Sequence, residues 1–205
     1  MVPKSPKLVP GKDGGPPVDL RTRILQAAIE AFANHGYSAT SMRSIVEEVG
    51  CTKPALYYHF GSKADLFVEV HRCVQEKVAG LFGALHDDRG PLPDRLERFV
   101  STLLLAATED PLPARLLLTA AHRPEQGQPA VDLHTFHQQN LSHLSEVLRE
   151  GQADGTVRSD LTAEELSEVL LGMVHHRALG VLIGKTPPPG IARQIVDVFI
   201  NGARP

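Results

Sequence analysis

A chain of 205 residues, 42% hydrophobic and 22% charged, has the composition of an ordinary globular protein, with length for one large domain or two small ones. No apolar run approaches the roughly 18 residues needed to cross a bilayer, and Lys4, Lys7 and Lys12 lie among Pro and Gly with no apolar segment to make a secretory signal. A formal charge of −3 argues against generic polyanion binding, and two cysteines without CxxC spacing, Cys51 and Cys73, fit free thiols in a reducing cytoplasm.

Residues 1–18, rich in Pro, Gly and Lys, read as a disordered arm. From about Leu20 the period becomes helical. Ile24, Leu25, Ala28, Ile29 and Phe32 recur at spacings of three and four, and Asn34-His35-Gly36 ends the run with a glycine. Thr40 or Ser41 caps a second helix whose inner face is Met42, Ile45, Val46 and Val49. Gly50-Cys51-Thr52 is a turn. Thr52 then caps a third helix, in which Pro54 is tolerated because a first-turn N–H has no intrahelical acceptor.

Ser62, with Asp65 three residues on, starts a long fourth helix carrying Leu66, Phe67, Val70, Val74, Val78, Leu81, Phe82 and Leu85 in one stripe. Further helices are predicted at about 93–108, 113–122, 128–152, 162–184 and 188–202, separated by Pro- and Gly-rich breaks. No strand-length alternation or internal repeat is present, so the expected fold class is all-α.

The second and third helices are too short to stand alone and must pack on neighbours. Packing by Leu56 and Phe60, four apart, leaves Lys53, Tyr57, Tyr58 and His59 outward, the layout a helix-turn-helix reader of duplex DNA requires. Charge agrees in direction. Through Asp65 the chain has eight Lys/Arg against six acids, and beyond it 13 against 18.

The segment from Arg23 to about Leu66 resembles the TetR (tetracycline-repressor-like) family of bacterial transcriptional regulators. The resemblance rests on ILQAAIEAFANHGY, Thr40, IVEEVG at 45–50, ALYYHF at 55–60, and Lys63 with Asp65-Leu66. It covers the first quarter to third of the chain, and the nine-helix count also fits. Val46, Cys51 and Ala64 depart from the usual Ala, Val or Ile, and Glu, without removing an expected DNA contact.

The resemblance implies a helix-turn-helix head over 19–65 and a ligand-binding and dimerisation bundle over 66–205. Expected DNA-binding residues are Thr40, Arg43, Thr52, Lys53, Tyr57, Tyr58, His59 and Lys63, with Lys63 implied as a phosphate contact and Lys53 near base edges. The partner is a palindromic double-stranded operator, read by a homodimer because one recognition helix spans only a few base pairs. The last two helices carry the apolar stripes expected at the dimer surface: Leu166, Val169, Leu170, Met173, Val174, Ala178, Val181 and Leu182, then Ile191, Ile195, Val198 and Phe199. The alternative is that both stripes serve only the intrachain core.

A small-molecule effector is expected in the bundle, with His134, His137, His175 and His176 as candidate pocket-lining residues. Paired histidines could also suit a metal, yet no Cys, Asp or Glu cluster completes a site, and no cofactor is expected. No catalytic motif is evident, so no enzyme is expected. The rival readings are an architectural DNA-binding protein without inducer and, more remotely, a His-site metalloenzyme.

Overall fold

The computed structural model describes residues 19–122 and 125–202; the N-terminal arm over 1–18 lies outside them. Among the described residues are nine α-helices and no strand: α1 (Leu20–Ala39), α2 (Met42–Val49), α3 (Lys53–His59), α4 (Lys63–Asp87), α5 (Leu92–Glu109), α6 (Pro111–His122), α7 (Leu133–Ala153), α8 (Ala163–Leu182) and α9 (Ile191–Gly202). They divide into two compact units. The first holds the residues through Val70 together with 125–130, and the second holds 71–122 and those from Val131 on. The first unit also takes in a loop from the middle of the chain.

In the first unit, Ile24, Ala28 and Phe32 of α1, Ile45 of α2, Leu56 of α3 and Leu66 of α4 are fully or almost fully buried. Their side chains form one continuous apolar centre because the three-and-four spacing places them on inner faces. Phe67 stands edge-on to both Phe32 and Tyr37, with ring centroids 5.1 and 5.0 Å away. Polar groups hold the helix ends. The Asp19 side chain caps α1 by accepting the Thr22 N–H at 3.0 Å. α1 breaks its helical geometry at Gly36 (φ 79, ψ 176), a conformation that side-chain-bearing residues avoid.

α2 is capped by Ser41, which exchanges hydrogen bonds with Ser44, and it ends on the left-handed Gly50. Thr52 caps α3 by accepting the Ala55 N–H at 3.3 Å, and the Ser62 hydroxyl accepts the Asp65 N–H at the start of α4.

The second unit is a bundle in which α5 packs against α8 and α9, and α7 against α8. Leu96 and Val100 of α5, Leu144, Val147 and Leu148 of α7, and Leu170 of α8 lie at its centre with no exposed surface. Arg95 is buried there, yet it is paired: it donates to the Glu150 carboxylate at 2.5 Å and to the Leu85 carbonyl at 3.2 Å. A buried cation is tolerable only with such partners.

Half of the stripe residues expected at a dimer surface are buried inside this bundle. Leu166, Leu170 and Val174 of α8, and Ile191, Ile195 and Phe199 of α9, are all buried within the chain. Val169 and Val198 are left outward, 52% and 63% exposed, along with Leu179 and Ile183 near the end of α8. No described helix is long and apolar enough to cross a membrane.

Candidate nucleic-acid interface

α3 divides its residues sharply. Leu56 and Phe60 are buried, whereas Tyr57 is 39% and Tyr58 87% exposed. Two adjacent residues on a helix point about 100° apart, so burial of the Leu56–Phe60 pair sends both tyrosines outward in different directions. Thr52 and Lys53 at the head of α3 are also exposed. The Lys53 ammonium lies 5.8 Å from the centre of the Tyr57 ring, which orients both side chains on one face. His59, the last residue of α3, is half-buried, with its ring edge-on to Tyr58 at 5.4 Å. The result is a short, solvent-facing helix carrying a hydroxyl, an ammonium, two phenols and an imidazole. Such groups can donate to phosphate oxygens and base edges.

The orientation of α3 is fixed from behind. The Arg23 guanidinium donates to the Val49 carbonyl at the end of α2, and the Arg21 guanidinium lies 5.6 Å from the centre of the Phe60 ring while pairing with Glu69. Arg43 of α2 is exposed and bonds Glu47 one turn on at 2.8 Å; this interaction raises the guanidinium pKa but leaves the group at the surface.

One expectation changes at the other edge of the head. Of the two candidate caps of α2, Ser41 caps the helix, which leaves Thr40 for another role. Its side chain is buried, and its hydroxyl bonds backward to the carbonyls of Gly36 at 2.8 Å and Ala31 at 3.1 Å. The hydroxyl closes the frayed end of α1, where helical carbonyls would otherwise be orphaned, and is not presented to an approaching polyanion.

Lys63 is half-buried. Its ammonium donates to the Ser38 carbonyl at 3.3 Å and sits 4.3 Å from the centre of the Tyr37 ring. Desolvation holds its pKa down, partly offset by the nearby Glu125 carboxylate.

Glu125 is the residue that sequence reasoning missed. Its two carboxylate oxygens accept the consecutive backbone N–H groups of Tyr37 at 2.9 Å and Ser38 at 2.7 Å. Bonding from the Ser38 side chain, then from the Ser38 N–H, keeps the Glu125 pKa below the ordinary carboxylate value. A Cβ at Gly36 would lie 1.9 Å from Glu125 Oε1, so a side chain there would push the flexible carboxylate off the Tyr37 and Ser38 amides. No local pattern around residue 125 announces a contact that spans nearly ninety residues.

The four candidate histidines are not brought together. His134 and His137 are exposed on the first turns of α7, and His175 and His176 are exposed on α8. None lines either of the two hollows found in the second unit. One, of about 470 Å³, is an open groove along Asp94, Glu97, Arg98, Ser101 and Thr102. The other, of about 110 Å³, lies between α4 and α5 and is lined by residues including Leu81, Leu85, Arg95 and Phe99. Among the described residues, no group of three His, Cys, Asp or Glu side chains could hold a metal ion.

Comparison with known proteins agrees with this architecture at both ends of the chain. Residues 24–70 match the family model described as bacterial regulatory proteins, tetR family, and residues 86–199 match that of the tetracyclin repressor-like C-terminal domain. The chain belongs to the TetR family of helix-turn-helix transcriptional regulators. It is 28% identical to the HTH-type transcriptional regulator YdgC of Bacillus subtilis, covering 92% of this chain and 94% of that one. It is 27% identical to the HTH-type transcriptional repressor ComR of Escherichia coli, covering 83% of each. Its fold is that of the transcriptional regulator FadR of Bacillus subtilis, solved in complex with stearoyl-CoA, with a TM-score of 0.69 at 17% identity over 89% of this chain and 99% of that one.

Proposed function

We propose that the protein is a transcriptional repressor that binds a palindromic operator as a homodimer and is released by a small-molecule effector. The observation that carries the reading is the division of α3, whose apolar residues anchor it while Thr52, Lys53, Tyr57 and Tyr58 face solvent. Repression is supported by the likeness to ComR, and a small-molecule effector by the likeness to a regulator that holds stearoyl-CoA. The dimer is supported by the apolar residues that the bundle leaves outward on its last two helices, Val169, Leu179 and Ile183 of α8 and Val198 of α9. Pairing these across a two-fold axis would cover them, and the same symmetry would match two half-sites on DNA.

The effector must prefer one conformation of the dimer, since only differential affinity can shift an equilibrium. The hollow of about 110 Å³ between α4 and α5 is smaller than the roughly 300 Å³ at which ligand pockets begin. An effector seated there requires the bundle to open around α4 and α5, and such repacking is what would carry a signal. The reaction medium is the cytoplasm, where the operator lies.

Footprinting of the purified protein on genomic DNA tests the reading. The expected result is a protected palindrome near a promoter, lost when the effector of the adjacent genes is added. A protein that protects no fragment over bulk competitor at modest salt contradicts it.

A further inference from the structure

The Gly36 turn carries an occupied anion-binding nest. Successive backbone N–H groups that converge on one point favour negative charge, and the amides of Tyr37 and Ser38 do so here, with the Lys63 ammonium bonded to the Ser38 carbonyl beside them. The present occupant is the Glu125 carboxylate. Ser38 is exposed, so the nest opens to solvent, and it lies three residues before Ser41, the N-cap of α2. The Thr40 hydroxyl is turned inward, and these two amides lie beside Lys63 at this edge of the head.

We propose that this nest takes a DNA backbone phosphate in the bound state and that Glu125 is its intramolecular competitor, making the loop between α6 and α7 an autoinhibitory strap on the DNA-binding head. The inference rests on the DNA-binding reading of that head. A carboxylate and a phosphate oxygen pair present the same acceptors, and both cannot sit on one pair of N–H groups. Binding DNA then requires displacing Glu125, a sequence-independent penalty. The strap is continuous in the chain with α6 and α7, so an effector that shifts either helix changes how readily the competitor returns.

The test uses full-length protein, a random-sequence duplex at low salt and a genomic operator fragment. Glu125→Ala is compared with Glu48→Ala, which removes an exposed acid of α2 outside the nest and so controls for net charge. Thermal unfolding confirms that both variants fold. The expected result is that Glu125→Ala binds both duplexes about tenfold more tightly, the order of effect for losing one charge-assisted pair of bonds, and exceeds the control on each.

Amide exchange provides the second measurement. Tyr37 and Ser38 should be protected in the free wild type, exposed in free Glu125→Ala, and protected again when that variant binds duplex. Equal or weaker binding by Glu125→Ala relative to the control, or amides that stay unprotected on DNA, overturns the inference while leaving the DNA reading intact. If the wild type and Glu125→Ala bind neither duplex, both fall together.

Discussion

The Arg23 guanidinium of α1 donates to the backbone carbonyl of Val49, the last residue of α2. One side chain thereby ties α1 to the end of α2, where the turn that aims α3 begins. A carbonyl at a helix end has no intrahelical donor, so a cation there satisfies an orphan acceptor and complements the helix dipole.

Arg23→Ala should lower stability by about 1–2 kcal/mol, the range for a lost hydrogen bond from a charged donor. Chemical denaturation measures this. Operator affinity should fall as well, although Arg23 lies behind the exposed face of α3.

Leu56 and Tyr58 separate scaffold from surface. Leu56→Ala should cost about 2–5 kcal/mol, as expected for a fully buried leucine, and abolish DNA binding by loosening the head. Tyr58→Ala should leave stability within about 0.5 kcal/mol and weaken operator binding only. Paired melting and gel-shift curves distinguish the two effects.

Lys63→Ala should weaken binding to every duplex sequence alike and reduce the slope of log affinity against log salt by about one phosphate contact. Lys53→Ala should instead alter base preference, because the head of α3 presents it outward. Titrations at several salt concentrations on matched and mismatched operators separate these outcomes.

Gly36 and Gly50 both have positive φ, at 79° and 68°, but differ in surroundings. A Cβ at Gly50 meets nothing within 4 Å, so Gly50→Ala pays only the left-handed strain of about 1–2 kcal/mol. Gly36→Ala also pushes the Glu125 carboxylate off the Tyr37 and Ser38 amides and should cost more. Combining it with Glu125→Ala should remove that displacement and leave the strain, which a double-mutant cycle on unfolding free energy would show.

The Glu125 contact should also carry a pH signature. Its pKa is depressed in the folded chain, so the stability it contributes is full above the ordinary glutamate range and is lost as pH falls through the folded value. The stability difference between wild type and Glu125→Ala should therefore be present at neutral pH and vanish in acid. Thermal melts across the acid range measure it.

The helices were legible because three-and-four spacing of apolar residues is a local signal, and so were caps such as Thr52 and Ser62. Boundaries set by tertiary pull were less so. α7 begins at Leu133 rather than 128, because Asp132 accepts the Thr135 N–H at 2.9 Å and the segment before it is held on the first unit through Glu125. The α8 and α9 stripes showed that something covers them, but periodicity does not name the partner, and for half of their residues the cover is the same chain.

His175 and His176 were candidates for lining a pocket, yet the helix turns both to solvent. Thr40 was visible as a helix-edge threonine, but which way its hydroxyl turned depended on the Gly36 carbonyl. Glu125 lay in a stretch whose only local message was a break.

The separation of duties along α3 has an evolutionary consequence. Residues that secure the helix and residues that could meet an external surface are different positions, so exchanges among the latter leave the thermodynamic foundation untouched. A descendant could acquire a new target by altering Lys53, Tyr57 or Tyr58 without first finding a compensating repair inside the head.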